Sequence, residues 1–200
     1  MQQYEEQSSM VGGVASLSLA RGARDGELYV IKRVRCFPCK TKEERMAMAY
    51  GVQEARLLML LQHPNILKAK DFFVEGVHHC TVLEYCLGGD LQQQIDNAVA
   101  AQRAIEPVSV FNWIAGTACA VQHFHLAGVI HRDLKPANIL LAGRDGRPED
   151  IRVADFGCAR QLHHGQETIQ TKLAGTKHYM VSCILLAVTV GHDHAVMQPE

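Results

Sequence analysis

One segment constrains this chain more than any other, because three short apolar runs enclose a set of closely spaced polar residues. The apolar runs are Val129–Ile130, Ile139–Leu141 and Ile151–Val153, and each is typical of a short buried strand. The polar residues between them are therefore expected on loops held by rigid neighbours, which is where catalytic groups usually lie.

The polar residues of these loops are the kinds that phosphate chemistry needs. The acids Asp133 and Asp155 accompany the cation Lys135 and the amide Asn138. Phosphoryl transfer requires little covalent chemistry from a protein, so the catalyst mainly positions a hydroxyl and neutralises phosphate charge. Chance is a poor explanation for this spacing between apolar runs.

The segment from His131 to Asn138, followed by Asp155-Phe-Gly157, resembles the catalytic core of protein kinases. The resemblance implies that Asp133 orients the substrate hydroxyl and accepts its proton, while Lys135 faces the transferring phosphate. It also implies that Asn138 holds one magnesium ion and that the aspartate of the second motif chelates another, with ATP as the phosphate donor.

Two further features concern the branch of the family and its regulation. Lys135 with Thr176 is similar to the serine/threonine branch, in which that threonine ties the catalytic aspartate to the lysine. Arg132, beside the catalytic aspartate, is a candidate partner for a phosphate on Thr168 or Thr171. A solvated loop threonine is the alternative at each of these two positions.

Upstream of the catalytic loop, the sequence predicts a strand and then a helix that each carry one charge. Leu28–Val34 alternates as a half-buried strand does and contains Lys32. Glu54 lies in the helix-forming run Gln53–Leu61, which ends before Pro64. Either charge alone is unremarkable, but their order resembles the lysine and glutamate that pair in kinases.

The expected ATP site of this resemblance includes the strand Cys80–Cys86. Leu83 stands at the gatekeeper position, and the backbone from Glu84 to Cys86 would contact adenine. Gly88-Gly89-Asp90 would turn the chain into the helical lobe.

The glycine-rich loop departs from the family pattern. Only Gly12 of three expected glycines is present, because Met10 and Ala15 occupy the other two positions. Fewer glycines restrict the approach of backbone N–H groups to phosphates, so ATP binding is expected to be weakened. Leu17 and Val30 stand where a valine and an alanine usually line the pocket, and both would narrow it.

The resemblance implies an α+β, protein-kinase-like bilobal fold. A small antiparallel β lobe with one helix (1–85) would precede a mainly helical large lobe (86–180) that is incomplete at its C-terminal end, and a tail without kinase likeness (181–200). Within the family, the 84–90 hinge, the Asp25-Gly26 turn and the stretch from Asn112 to His125 are similar to the NIMA-related serine/threonine kinases.

Two functions remain open at this point. One is a serine/threonine protein kinase that uses ATP and Mg²⁺ on protein substrates, regulated by an upstream kinase or by autophosphorylation. The alternative is a truncated, catalytically impaired module that binds nucleotide or partners. It is kept because a catalytic site needs a supporting shell and the expected large lobe is incomplete.

The apolar run Val181–Val190 is shorter than the roughly twenty residues that a membrane helix requires.

Composition favours a cytoplasmic globular protein, with nuclear or cytoskeletal association left open. The chain has 200 residues, 48% of them hydrophobic, and a net charge of −1, which predicts neither a nucleic-acid nor a membrane partner. Its 7 cysteines lack disulfide-framework spacing. Cys36-Phe-Pro-Cys39 has redox or zinc-ligand spacing but no second pair, and Cys158 is a candidate reactive thiol or a buried one.

Overall fold

The computed structural model describes residues 3–11, 15–36, 38–143 and 150–161. The chain divides into two units, of which the first comprises Met1–Gln62 and Leu67–Cys86 and the second His63–Ile66 and Leu87–Glu200. The predicted combination of an antiparallel sheet with one helix is confirmed in the first unit.

The first unit contains a five-stranded antiparallel sheet in the order β1-β2-β3-β5-β4. Its strands are β1 (Tyr4–Val11), β2 (Ala15–Gly22), β3 (Leu28–Arg35), β4 (Ala69–Glu75) and β5 (His78–Glu84). The predicted strand at Leu28–Val34 is therefore confirmed. Alternation along each strand gives the sheet two different faces.

One face of the sheet carries an apolar core. Ala20, Tyr29, Ile31, Cys80 and Val82 are buried there, with Tyr4 and Phe73 packed against them. The rings of Tyr4 and Tyr29 meet edge to face at 5.7 Å between centroids. This burial is the main stabilising contribution to the sheet, because apolar area removed from water stabilises a fold in proportion to its extent.

Helix α1 (Lys42–Leu60) packs on the opposite face of the sheet. Its start is fixed by a capping box, in which Thr41 Oγ1 accepts from the Glu44 N–H and Glu44 Oε2 accepts from the Thr41 N–H. A glycine at position 51 permits close packing, since a Cβ there would lie 3.0 Å from Val34 Cγ2. The helix begins eleven residues before the predicted run Gln53–Leu61 and includes nearly all of it.

The described part of the second unit contains two helices and two short antiparallel strand pairs. The helices are α2 (Leu91–Ala100) and α3 (Pro107–Leu126). The strand pairs are β6 (Val129–Ile130) with β9 (Arg160–Gln161), and β7 (Ile139–Leu141) with β8 (Ile151–Val153). The three short buried strands predicted from apolar runs are thus confirmed.

One helix cap and two hydrogen bonds of Asn65 position these elements. Asp90 caps α2 by accepting from the Gln93 N–H at 2.9 Å, which ends the predicted turn at 88–90. The Asn65 carbonyl accepts from the Val153 N–H at 2.8 Å, and the Asn65 side chain donates to the Ile151 carbonyl at 3.3 Å. Strand β8, which leads to Asp155, is therefore held on both its edges.

Candidate active site

The first group of predicted site residues lies on the α1 side of the sheet. Lys32 projects from β3, and its Nζ donates to Glu54 Oε2 on α1 at 2.5 Å. The Glu54 side chain is 5% exposed and that of Lys32 is 24% exposed. Glu54 is thus a buried partner of the strand lysine rather than a solvated helix charge.

Strand register brings the predicted nucleotide contacts onto this same face. Leu17 is opposite Lys32 in the β2–β3 pair, and Val30 is opposite Leu83 in the β3–β5 pair. Directly opposed residues of antiparallel strands share a face, and so do residues two apart along one strand. The side chains of Leu17, Val30 and Leu83 therefore stand beside Lys32, with Leu83 buried and Leu17 exposed.

The end of β5 is closed by a reciprocal pair of hydrogen bonds. The Glu84 N–H donates to the Lys68 carbonyl at 3.0 Å, and Glu84 Oε1 accepts from the Lys68 N–H at 2.8 Å. A nucleotide contact from the Glu84 backbone would therefore have to use its carbonyl oxygen. Cys86, the last residue of the first unit, is half-buried.

The predicted glycine-rich loop falls largely outside the described residues. Gly12 lies in the undescribed segment 12–14, and the side chain of Met10 is likewise not described. The flanking backbone pairs Met10 with Leu17, and β2 begins at Ala15.

The second group is centred on the Asp133 carboxylate, which is 9% exposed. Its Oδ2 accepts from Lys135 Nζ at 2.9 Å and from Asn138 Nδ2 at 3.1 Å. The same Asn138 nitrogen donates to the Asp133 carbonyl at 2.8 Å. Three residues that the sequence predicts to act together are therefore joined by direct hydrogen bonds.

A single turn of 3-10 helix, Pro136–Asn138, makes this arrangement possible. The proline fixes the backbone at the start of the turn, and the Asn138 N–H donates back to the Lys135 carbonyl at 2.9 Å. Beyond the turn, the Asn138 carbonyl accepts from the Ala154 N–H at 2.9 Å. The loop that contains Asp133 and Asn138 is thus tied directly to the residue that precedes Asp155.

His131 forms the floor of this loop and is fully buried. Its Nε2 lies 2.9 Å from the Ala154 carbonyl, and its Nδ1 lies 3.3 Å from the Asp133 backbone nitrogen. Because that nitrogen is a donor and the carbonyl an acceptor, the pattern assigns the imidazole proton to Nε2. Burial lowers the pKa of His131, so the ring is neutral at physiological pH.

The loop that contains Asp133 packs on a cluster of three aromatic rings. His131 meets the Phe156 ring at 4.7 Å between centroids, and Phe124 of α3 meets Phe156 edge to face at 5.6 Å. Phe124 and Phe156 are fully buried. The residue after Asp155 is therefore anchored in the core, while Asp155 itself is only partly buried.

Two residues of the site adopt left-handed backbone conformations. Arg132 has φ 66° and Asp155 has φ 62°, a region that costs energy for a residue with a Cβ. Such strain is typical of residues held for function by their surroundings. The Arg132 guanidinium Nε donates to the Cys158 carbonyl at 2.7 Å.

The regulatory predictions are only partly visible. Arg132 lies directly before Asp133 in the chain, and Thr168, Thr171 and Thr176 are outside the described residues. Cys158 is half-buried, and burial raises the pKa of its thiol. The interpretation of Cys158 as a poorly reactive buried thiol is favoured over a reactive one.

The predicted residues thus form two groups, one in each unit. Those in the first unit are Leu17, Val30, Lys32, Glu54, Leu83, Glu84 and Cys86. Those in the second unit are Arg132, Asp133, Lys135, Asn138 and Asp155.

The sequence alone predicts no role for His131 or Asn65, which position the loop of Asp133 and strand β8 respectively. Their signal was present in part, because His131 precedes Arg132 within the recognised motif and Asn65 follows Pro64 at the end of the helix. What the sequence did not reveal was their burial and the carbonyl groups that they contact.

The donor set of the second unit fits a magnesium ion. Asn138 uses its Nδ2 on Asp133, so its amide oxygen is the atom left to face a cation, and Asp155 offers a carboxylate. Mg²⁺ prefers oxygen ligands and usually takes only one or two carboxylates from protein, with phosphates and water completing its shell. Asn138 and Asp155 are only two ligands, so they differ from a metal site built entirely of protein side chains. Among the described residues, no group of three or more His, Cys, Asp or Glu side chains forms such a site.

The described helices include none that is long and apolar enough to cross a membrane.

Comparisons with known proteins agree with this geometry. A profile described as "Protein kinase domain" matches residues 8–196. Mitogen-activated protein kinase kinase kinase 11 of Rattus norvegicus is 37% identical over 177 residues, which cover 84% of this chain and 20% of that protein. Serine/threonine-protein kinase Nek6 of Oryza sativa subsp. japonica is 34% identical over 196 residues, covering 96% of this chain and 34% of that protein.

A third relative, serine/threonine-protein kinase Nek4 of Mus musculus, is 33% identical over 171 residues, covering 84% of this chain and 20% of that protein. The chain therefore spans between a fifth and about a third of the length of these relatives. The two Nek proteins confirm the resemblance to NIMA-related kinases, although the mitogen-activated relative shows similar identity. The family profile, these relatives and the geometry of both groups of residues agree: this chain belongs to the protein kinase family.

Proposed function

We propose that this chain transfers the γ-phosphate of ATP to serine and threonine hydroxyls of protein substrates. The observation that carries the proposal is the Asp133 carboxylate, held at one oxygen by both Lys135 Nζ and Asn138 Nδ2. A fixed carboxylate can orient a hydroxyl and take its proton without reorganising during the reaction.

In this proposal, each neighbour of Asp133 has a distinct task. Lys135 lies 2.9 Å from the carboxylate, so its ammonium would face the transferring phosphate from beside the hydroxyl. Asn138 and Asp155 would hold Mg²⁺, which when bound neutralises phosphate charge. His131 is a positioning residue, because it fixes the Asp133 backbone and stays neutral.

The first unit would supply the nucleotide contacts. Lys32, oriented by Glu54, would pair with ATP phosphates, while the aligned apolar side chains of Leu17, Val30 and Leu83 would pack on adenine. Gly12 and the backbone of Glu84 and Cys86 would complete these contacts. The proposed lobe boundaries are 1–85 and 86–180.

The proposed regulation rests on Arg132, Thr168, Thr171 and Thr176. A phosphate on Thr168 or Thr171 would pair with the Arg132 guanidinium, whose Nε already donates to the Cys158 carbonyl. Thr176 would link Asp133 with Lys135. The proposed partners are protein substrates and an upstream kinase, and the proposed location is the cytoplasm.

The direct test is phosphorylation of dephosphorylated casein by the purified 200-residue chain with radiolabelled ATP. We expect label on serine and threonine after acid hydrolysis, and loss of transfer when EDTA removes Mg²⁺. An exposed-site variant, Asp96→Asn on α2, serves as the matched control for any aspartate variant. Label on tyrosine alone, or transfer unaffected by EDTA, would overturn the proposal.

A second function, binding of nucleotide or partners without turnover, is favoured by one sequence observation. Met10 and Ala15 replace two of the three glycines expected around Gly12. A rise in melting temperature with ATP, in a folded chain that transfers no phosphate, would support this second function.

A further inference from the structure

Cys36 and Cys39 lie on the connection between β3, which carries Lys32, and α1, which carries Glu54. Both thiols are free and half-buried. We propose that this pair is a modification site, at which oxidation closes a reversible disulfide across the β3–α1 connection.

The Cys39 side chain reaches back to the backbone of Cys36. The Cys39 Sγ lies 3.5 Å from the Cys36 carbonyl oxygen and 3.8 Å from the Arg35 carbonyl oxygen. This contact brings the Cys39 sulfur close to Cys36, and closeness of the two cysteines is what a local disulfide requires.

Each thiol is also anchored to a different neighbour. The Cys36 Sγ donates to the Val77 carbonyl at 3.2 Å, and the Cys36 N–H donates to the same oxygen at 2.8 Å. The Cys39 Sγ lies 3.9 Å from Met48 Sδ on α1. Oxidation removes both S–H donors, so the disulfide would exchange these contacts for one covalent link between the end of β3 and the residues that precede the Thr41 cap.

The chemistry balances with a disulfide oxidant such as oxidised glutathione. The thiolate of one cysteine attacks the glutathione disulfide, forms a mixed disulfide and releases one glutathione thiolate. The thiolate of the second cysteine then attacks the protein sulfur of that mixed disulfide and releases the second. Two protein thiols are oxidised, their two protons pass to glutathione, and one glutathione disulfide is reduced to two thiols.

Trypsin offers a direct test, because it cleaves after Arg35 and Lys40 and so releases Cys36–Lys40 as one peptide. The folded chain is equilibrated in glutathione buffers of defined ratio, quenched in acid, alkylated with N-ethylmaleimide and digested. We expect this peptide to appear two hydrogens lighter and without maleimide, and dithiothreitol to restore the doubly alkylated form. The measurement needs no catalytic activity, so it is independent of the proposed kinase function.

Two comparisons make the test decisive. The variants Cys36→Ser and Cys39→Ser each keep one thiol and are expected to carry glutathione instead of an internal bond. In the parent chain, the ratio of disulfide to dithiol is expected to be about tenfold higher in the folded state than in urea, because the fold holds the Cys39 sulfur close to Cys36. A peptide that stays reduced, that ends as a glutathione adduct, or that oxidises no more readily when folded would overturn the proposal.

Discussion

Glu54 accepts a 2.5 Å hydrogen bond from Lys32 Nζ while remaining 95% buried as a side chain. A carboxylate in that position depends on its cation, because an uncompensated buried charge is strongly destabilising. Lys32→Met is therefore expected to lower the free energy of unfolding by about 3–5 kcal/mol, measured by urea denaturation.

The matched variants separate this electrostatic effect from lost packing. Glu54→Gln removes the charge, so the double variant Lys32→Met/Glu54→Gln is expected to be more stable than Lys32→Met alone. If the changes in unfolding free energy of the two single variants simply add in the double variant, the two side chains are not coupled. The proposed role of Glu54 in orienting Lys32 would then fail.

Asn138 gives a second stability prediction. Asn138→Ala removes the donor to both the Asp133 carbonyl and its carboxylate, and leaves these buried acceptors with one partner fewer. The expected cost is about 1–3 kcal/mol in the free energy of unfolding. Asn97→Ala on the exposed side of α2 is the control, and an equal loss in both variants would contradict the prediction.

His131 predicts a pH dependence of stability. Its folded-state pKa lies below the ordinary value of 6.5 because the ring is buried, so the unfolded chain binds more protons below that pH. The contribution of His131 to the free energy of unfolding should therefore be at its maximum above about pH 6.5 and should decrease as the pH falls below that value. His131→Phe should show a shallower decline between about pH 7 and pH 5 in thermal unfolding.

Phe124→Leu is the control for this pH effect, since it alters a ring neighbour of His131 without removing a titratable group. It should lower stability at every pH while keeping the parent slope. An unchanged slope in His131→Phe would show that the histidine does not titrate on unfolding.

Cys158 should react slowly with alkylating agents. Burial raises the pKa of its thiol, whereas Cys119 of α3 is exposed. Peptide mapping after brief iodoacetamide treatment near pH 7.5 is expected to show labelling at Cys158 about tenfold slower than at Cys119, or slower still. Equal rates, or slower labelling of Cys119, would count against the buried environment of Cys158.

The sequence was sufficient where the local pattern and the tertiary environment agree. Alternation in Leu28–Val34 and the apolar runs that became β6, β7 and β8 reported buried strands directly. The spacing of Asp133, Lys135 and Asn138 likewise came from one short segment, whose proline-led turn is set by local backbone geometry.

The sequence was insufficient where partners are distant along the chain. Glu54 pairs with Lys32, which lies 22 residues away in the sequence. His131 contacts the carbonyl of Ala154, which lies 23 residues away. The early start of α1 was missed because the Thr41 capping box, rather than the apolar run, determines where the helix begins.

The proposed role of Asp133 as proton acceptor is tested by the rate of a single turnover on casein, measured for the parent chain and for Asp133→Asn at saturating ATP and Mg²⁺. Because the amide cannot accept the substrate proton, we expect a rate lower by about 10²–10⁴-fold for Asp133→Asn and an unchanged rate for Asp96→Asn, with the melting temperature of both variants near that of the parent. Equal rates for the parent and Asp133→Asn would contradict the assignment of this carboxylate as the centre of the site.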